Sequence, residues 1–276
     1  MKKKSLLLFI TLSVGVWLAI AGGPGWGQET PLAGSNSELA LNPGETSTEW
    51  ESVFKVTKTF AASRDNTLFE TAQVGADLSG GRGSWLFTGR TGQPPEEGPI
   101  RRGLIFFDLA DSGIPPNALV TKVTLQLHVS LSAPGSGQQA IALHRLLADW
   151  GEGISTSQGT GGIATPGDAT WRHTFFDTAF WTTPGGDFSP TTSASTLIGG
   201  IGFYTWSSIR MVLDVQEWLI APANNFGWII RGNETLPRTA KRIDSRHNPT
   251  ADNQPLLIVE YEPELKSYFL PIIMKQ

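Results

Sequence analysis

Apolar and polar residues alternate with a period of two through most of the chain beyond position 50. Val123, Leu125, Leu127 and Val129 interleave with Thr124, Gln126, His128 and Ser130, the pattern of a strand with one face buried and the other in water. The pattern predicts the four aliphatic residues in a core and His128 outside it. Ile141 and Leu143 alternate in the same way with Ala142 and His144. Apolar or β-branched runs at 54–60, 85–88, 104–108, 226–230 and 256–261 are separated by Gly, Pro and Asn clusters, at spacings typical of an all-β domain. One stretch departs from this. Residues 211–219 place Val215, Trp218 and Leu219 on one face and predict a short helix, with Asp214 as its N-cap. The expected fold is all-β: a two-sheet antiparallel β-sandwich of jelly-roll type with long loops.

The first fifty residues follow other rules. Lys2, Lys3 and Lys4 precede an apolar run from Leu6 to Ala21, and Gly22, Gly23, Pro24 and Gly25 break it at once. This is the layout of a secretory signal peptide at 1–21, with residues 19–21 as a cleavage box; the competing reading is a retained membrane anchor. Residues 22–50, rich in Gly, Pro, Ser, Thr and Glu without a period, read as a linker. The domain is expected at 51–262 and an apolar tail at 263–276, which contains YFLPIIMK. A secreted, extracellular or cell-surface protein follows, with no stable membrane insertion once the leader is cleaved. The net charge is −4 and becomes more acidic when the leader lysines leave, so no general attraction to nucleic acid or anionic lipid is expected. There is no cysteine, and stability must come from a core that a domain of this size is large enough to bury.

Candidate chemistry is sparse. Trp171, Trp181 and Trp206 lie among Gly, Thr and Asp, where an indole could serve as a platform for a sugar ring or plug the end of the sandwich. Trp150, Trp218 and Trp228 sit beside apolar strand or helix residues and are expected in the core, as is Trp85. Arg101 and Arg102 precede the strand LIFFDL, and Lys241, Arg242 and Arg246 cluster further on. The arginine fork suits a carboxylate or sulfate, so these cations are candidates for gripping an acidic polysaccharide. The alternative is internal pairing with Asp108, Asp244 or Glu234. Asp65, Asn66 and Glu70, with Asp77 nearby, offer oxygens to a structural calcium, or simply cap backbone groups in turns. Asp168, Asp177 and Asp187 form a second, less specific acidic set. No G-x-S-x-G elbow, H-E-x-x-H or phosphate-binding loop occurs. His173, near Asp177 and Asp187, is a conceivable base but has no evident partner set.

Several strings in order carry a resemblance: RDNTLFE at 64–70, RRGLIFFDLADSGIPPNALVTKVTLQLHVS at 101–130, ALHRLLADWGEG at 142–153, GDATWRHTFFDTAFWTTPGGDF at 167–188, YTWSSIRMVLDVQEWL at 204–219, NNFGWIIRGNE at 224–234, AKRIDSRHNP at 240–249 and QPLLIVEY at 254–261. Together they resemble the DNRLRE-domain family, carbohydrate-binding module family 96, over residues 54–261. The resemblance implies a β-sandwich that binds polysaccharide, including uronic-acid polymers, without catalysis. The insert QPPEEGP at 93–99 departs from the family and adds Glu96 and Glu97 beside Arg101. Two other functions stay open: a structural cell-surface or matrix protein using the sandwich for protein contacts, and a cryptic polysaccharide lyase or hydrolase.

Overall fold

The structure is a computed structural model and describes residues 54–71, 77–92, 98–156 and 158–263. The expected leader at 1–21, the linker at 22–50 and the tail beyond Pro263 lie outside the described residues. The strands run β1 (Val56–Ala61), β2 (Arg64–Phe69), β3 (Leu78–Ser79), β4 (Trp85–Arg90), β5 (Ile100–Phe106), β6 (Leu119–Ser132), β7 (Gln139–Leu146) and β8 (Gly162–Ile163). They continue with β9 (His173–Phe175), β10 (Ala179–Phe180), β11 (Phe188–Ile198), β12 (Gly202–Trp206), helix α1 (Ile209–Ile220), β13 (Trp228–Arg231), β14 (Lys241–Asp244) and β15 (Leu256–Glu262).

Eleven of these strands form one antiparallel sheet that curls over to make both layers of a sandwich. The front layer holds β1, β15, β6, β14 and β12, and the back layer holds β2, β5, β13, β7 and β11. Strand β4 belongs to both. Its residues 85–88 pair with β14, and its last two, Gly89 and Arg90, pair with Arg101 and Ile100 of β5. Gly89 makes this corner at φ +99°, where a Cβ would stand 3.0 Å from the Thr239 carbonyl oxygen. A side chain would be strained there and crowded as well.

Between the layers lies the main core. Val123, Leu125, Leu127 and Val129 are fully buried in it, and Thr124, Gln126, His128 and Ser130 point to the other face of β6, as the alternation predicts. Helix α1 closes the core with Met211, Val215, Trp218 and Leu219, and the Trp218 and Trp228 rings meet edge to face at 4.5 Å. The helix is capped by Ser208, whose Oγ accepts from Met211 N at 3.1 Å, rather than by Asp214. Asp214 is inside the helix instead, where its Oδ2 accepts from Ser193 Oγ at 2.5 Å and from Trp228 Nε1 at 2.9 Å. Buried polar groups of this kind must be paired, and strand residues supply the partners.

A second core lies on the outer side of the back layer. The long excursion from 147 to 187 folds over it and buries Trp150, Trp181 and Ala169 against Leu68, Leu104, Leu146 and Ile229. Asp168 organises this excursion: Oδ1 accepts from Ile154 N at 2.9 Å and Oδ2 from Thr165 N at 2.6 Å. Both faces of the back layer are therefore covered. Among the described residues no comparable segment folds over the outer face of the front layer, and this asymmetry positions the site.

Candidate binding face of the front sheet

Four adjacent strands lay a row of side chains across the open face. Phe203 of β12 registers opposite His128 of β6, and Trp85 of β4 opposite Asp244 of β14. His128 Nδ1 lies 2.7 Å from Asp244 Oδ2 and joins the two pairs. Because a carboxylate accepts, His128 Nδ1 bears the hydrogen of this bond, and Nε2 has no hydrogen-bond partner among the described residues. The Phe203 ring is 4.6 Å from the imidazole and half exposed. Phe203 and Trp85 stand three strand spacings apart, roughly 14 Å, the span of a short oligosaccharide.

Arg242 completes the row. Its guanidinium sits 4.5 Å over the Trp85 ring, while Nε donates to Ser130 Oγ at 3.1 Å and Nη2 to the Ser130 carbonyl at 3.3 Å. No carboxylate pairs with it among the described residues. An arginine held over an indole, with Nη1 making no hydrogen bond among the described residues, is preorganised for an anion. Thr57, Thr59, Thr124, Gln126 and Thr205 surround the row on the same face, adding hydroxyl and amide groups. At the β4 margin the face is closed, where Gly159 lies against the Phe87 ring.

The other cations expected with Arg242 do not join it. Arg101 is buried; its Nη1 donates to the Ile100 carbonyl at 3.1 Å and its guanidinium lies 4.8 Å over Phe69. Burial pushes it down to about 10. Arg102 lies on the back layer, in a fork with Glu234 at 2.8 and 2.9 Å, and stacks 4.8 Å over Trp171. Arg231 shares the same carboxylate. Burial alone would raise Glu234, but the bonds from Arg102 and Arg231 outweigh it and hold the carboxyl below its usual range. Arg246 follows β14 and pairs with both Glu152 oxygens at 3.0 and 3.1 Å. Lys241 points inward, fully buried, and donates to Ser132, Ser136 and the Gly199 carbonyl.

The tryptophans also redistribute. Trp206 is buried in the main core, with Nε1 donating to the Ile141 carbonyl at 2.8 Å. Trp181 is buried in the second core and donates to the Thr170 carbonyl at 2.9 Å. Trp171 is half-buried, one side under Arg102 and its backbone bonded to Gly185. Trp85, expected in the core, is half-buried on the open face. The signal was present in the alternation of Trp85 and Phe87 with the core residue Leu86, but it does not say that the far side stays open.

Asp65, Asn66 and Glu70 are not brought together. Asp65 and Asn66 are neighbours in β2 and point to opposite faces, and Glu70 follows the strand and accepts from Ile100 N at 2.7 Å. Asn66 Oδ1 accepts from Thr67 N at 2.7 Å and Gly80 N at 3.0 Å, and its amide donates to the Glu152 carbonyl at 3.0 Å. The Asn66 and Glu70 oxygens named here are committed to protein donors, as is Asp65 Oδ2, which accepts from Arg246 N. Among the described residues no group of three or more His, Cys, Asp or Glu converges as metal ligands, and no helix is long and apolar enough to cross a membrane. His173 is buried, 3.0 Å from Thr170 Oγ1 and 3.5 Å from Asp77, which itself pairs with Arg172. No protein-family model matches the chain, and no curated protein matches it.

Proposed function

We propose that the open face of the front sheet binds polysaccharide, and that its ligand carries carboxylates. The observation that carries this reading is Arg242, stacked on Trp85 on an uncovered sheet face without a carboxylate partner among the described residues. The arginine addresses the acid group, while Phe203 and the exposed part of Trp85 take ring faces. Threonine, glutamine and the free Nε2 of His128 supply hydrogen bonds for hydroxyls. The resemblance to the DNRLRE-domain family supports the same class of ligand, in an exported, non-catalytic binding protein.

The test is affinity electrophoresis on a polyuronate and on a neutral glucan at two salt concentrations. Each charge-assisted contact contributes about 1.5–3 kcal/mol, so Arg242→Ala is expected to weaken polyuronate binding by roughly tenfold or more and to remove much of its salt dependence. Trp85→Ala weakens binding to any polymer retained, and Trp171→Ala does not. Retention of the polyuronate unchanged by both front-face substitutions overturns the reading. Release of reducing or unsaturated products from the polymer replaces it with a catalytic one.

A further inference from the structure

Helix α1 is apolar on both sides. Met211, Val215, Trp218 and Leu219 face the core, yet Ile209, Leu213 and Ile220 are 75%, 51% and 65% exposed. At 3.6 residues per turn these three form one outward stripe. An amphipathic helix normally presents polar residues to water at this position. Both flanks of the stripe are anchored to the sheet. On one side Gln216 Oε1 accepts from Val120 N at 2.9 Å and its Nε2 donates to the Ala118 carbonyl at 3.0 Å. On the other, Glu217 pairs with Arg145 of β7. Leu119, between the two residues that Gln216 holds, is 59% exposed and extends the apolar surface onto the edge of the front layer.

Strand β15 delivers the chain to this place. Its last residue, Glu262, registers opposite Leu119, and Pro263 is the last described residue before 264–276. That segment reads ELKSYFLPIIMKQ, with seven successive residues, YFLPIIM at 268–274, free of charge and rich in aliphatics. From Pro263 to Tyr268 an extended chain reaches about 17 Å, comparable to the roughly 18 Å length of α1. A tethered apolar segment beside an apolar stripe has an effective concentration in the millimolar range, which favours it over a second molecule.

We propose that residues 268–274 dock across the outer stripe of α1, over Ile209, Leu213, Ile220 and Leu119, and so cover the end of the sandwich with the protein's own chain. The surface is distinct from the sheet face proposed for polysaccharide, and neither proposal depends on the other.

Because the chain contains no cysteine, an introduced pair reports unambiguously. Leu213→Cys with Ile272→Cys is compared with a control, Thr57→Cys with Ile272→Cys, on the exposed face of β1. A disulfide needs Cα atoms within about 7 Å. The expected result is an intrachain disulfide in the first pair, seen as a fast-migrating monomer, forming at least tenfold faster than in the control. Equal rates in the two pairs, or no disulfide in either, overturn the proposal. Concentration-dependent interchain disulfides also overturn it and assign the stripe to a second copy. Truncation after Pro263 keeps every described residue and gives a second readout. Docking predicts faster amide exchange in α1 and several-fold more binding of a hydrophobic dye. Unchanged exchange and dye binding count against it.

Discussion

The main-chain N–H of Arg246 donates to Asp65 Oδ2 at 2.6 Å, while Asp65 Oδ1 is buried without a partner among the described residues. Burial pushes this carboxyl up to about 8; the Arg246 bond opposes the shift and nearby Glu152 adds to it. The folded protein thus keeps the proton at pH values where the unfolded chain, near 3.8, has lost it. Stability from this group is complete below the unfolded value and is lost as pH rises toward about 8. Asp65→Asn mimics the protonated acid. Its melting temperature is expected to exceed the parent's by several degrees at pH 8, with the gap closing toward pH 4. His247, whose pKa burial lowers, slopes the opposite way on the acid side, and the difference between variant and parent largely cancels it. A variant equally destabilised at every pH would show that Asp65 is ionised.

What was legible in the chain follows from how local each cause is. The alternation of Val123, Leu125, Leu127 and Val129 identified β6 because one face of that strand has a single environment, the core. Helix α1 was visible in its apolar face, but its cap was not. Asp214 looks like a cap in sequence and is claimed in space by Ser193 and Trp228, from two different strands. The tryptophans were assigned by their neighbours in sequence, yet their fate was decided by the 147–187 excursion, which closes over the back layer and takes Trp181 with it. Front-layer openness, which exposes Trp85, is a property of the whole topology. The Arg242 stack on Trp85 depends on strand pairing between β4 and β14, and no local pattern encodes that pairing.

Two tryptophans should separate stability from binding. Trp181→Ala removes a buried indole and its bond to the Thr170 carbonyl, with an expected loss of about 3–5 kcal/mol of unfolding free energy. Trp85→Ala removes a half-buried ring and is expected to cost less, about 1 kcal/mol, while carrying the loss of ligand affinity. Denaturant unfolding beside affinity electrophoresis measures both. The reverse pattern would place the ring platform in the 167–188 loop.

Glu234 neutralises two arginines at once, with side-chain exposures of 14% for Glu234, 12% for Arg102 and 28% for Arg231. Glu234→Ala leaves both cations facing each other near Phe188, and a loss of about 2–3 kcal/mol is expected. High salt should recover part of that loss by screening the repulsion. In the parent the carboxyl's folded pKa is held below its ordinary 4.5, so its contribution is present above that value and is lost as pH falls through the depressed one. Chemical denaturation at two salt concentrations and two acidic pH values checks both signs.

Lys241 is the sharpest test of how the core treats charge. It is fully buried, and its ammonium donates to Ser132 Oγ at 2.5 Å, Ser136 Oγ at 2.8 Å and the Gly199 carbonyl at 3.2 Å. No carboxylate balances it among the described residues, and burial lowers its pKa. At neutral pH the folded state therefore bears a desolvation cost that the unfolded chain does not, and stability should rise as pH climbs toward the unfolded value of 10.5. Lys241→Met keeps the stem's packing and removes the cost. The oxygens left behind satisfy one another, since Ser132 Oγ already donates to the Gly199 carbonyl at 2.8 Å and lies 3.3 Å from Ser136 Oγ. The methionine variant should stay within about 1 kcal/mol of the parent or exceed it. Lys241→Ala, which empties the space of the stem, should lose about 2 kcal/mol or more. A methionine variant as damaged as the alanine one would mean that the ammonium's bonds to these oxygens outweigh its burial.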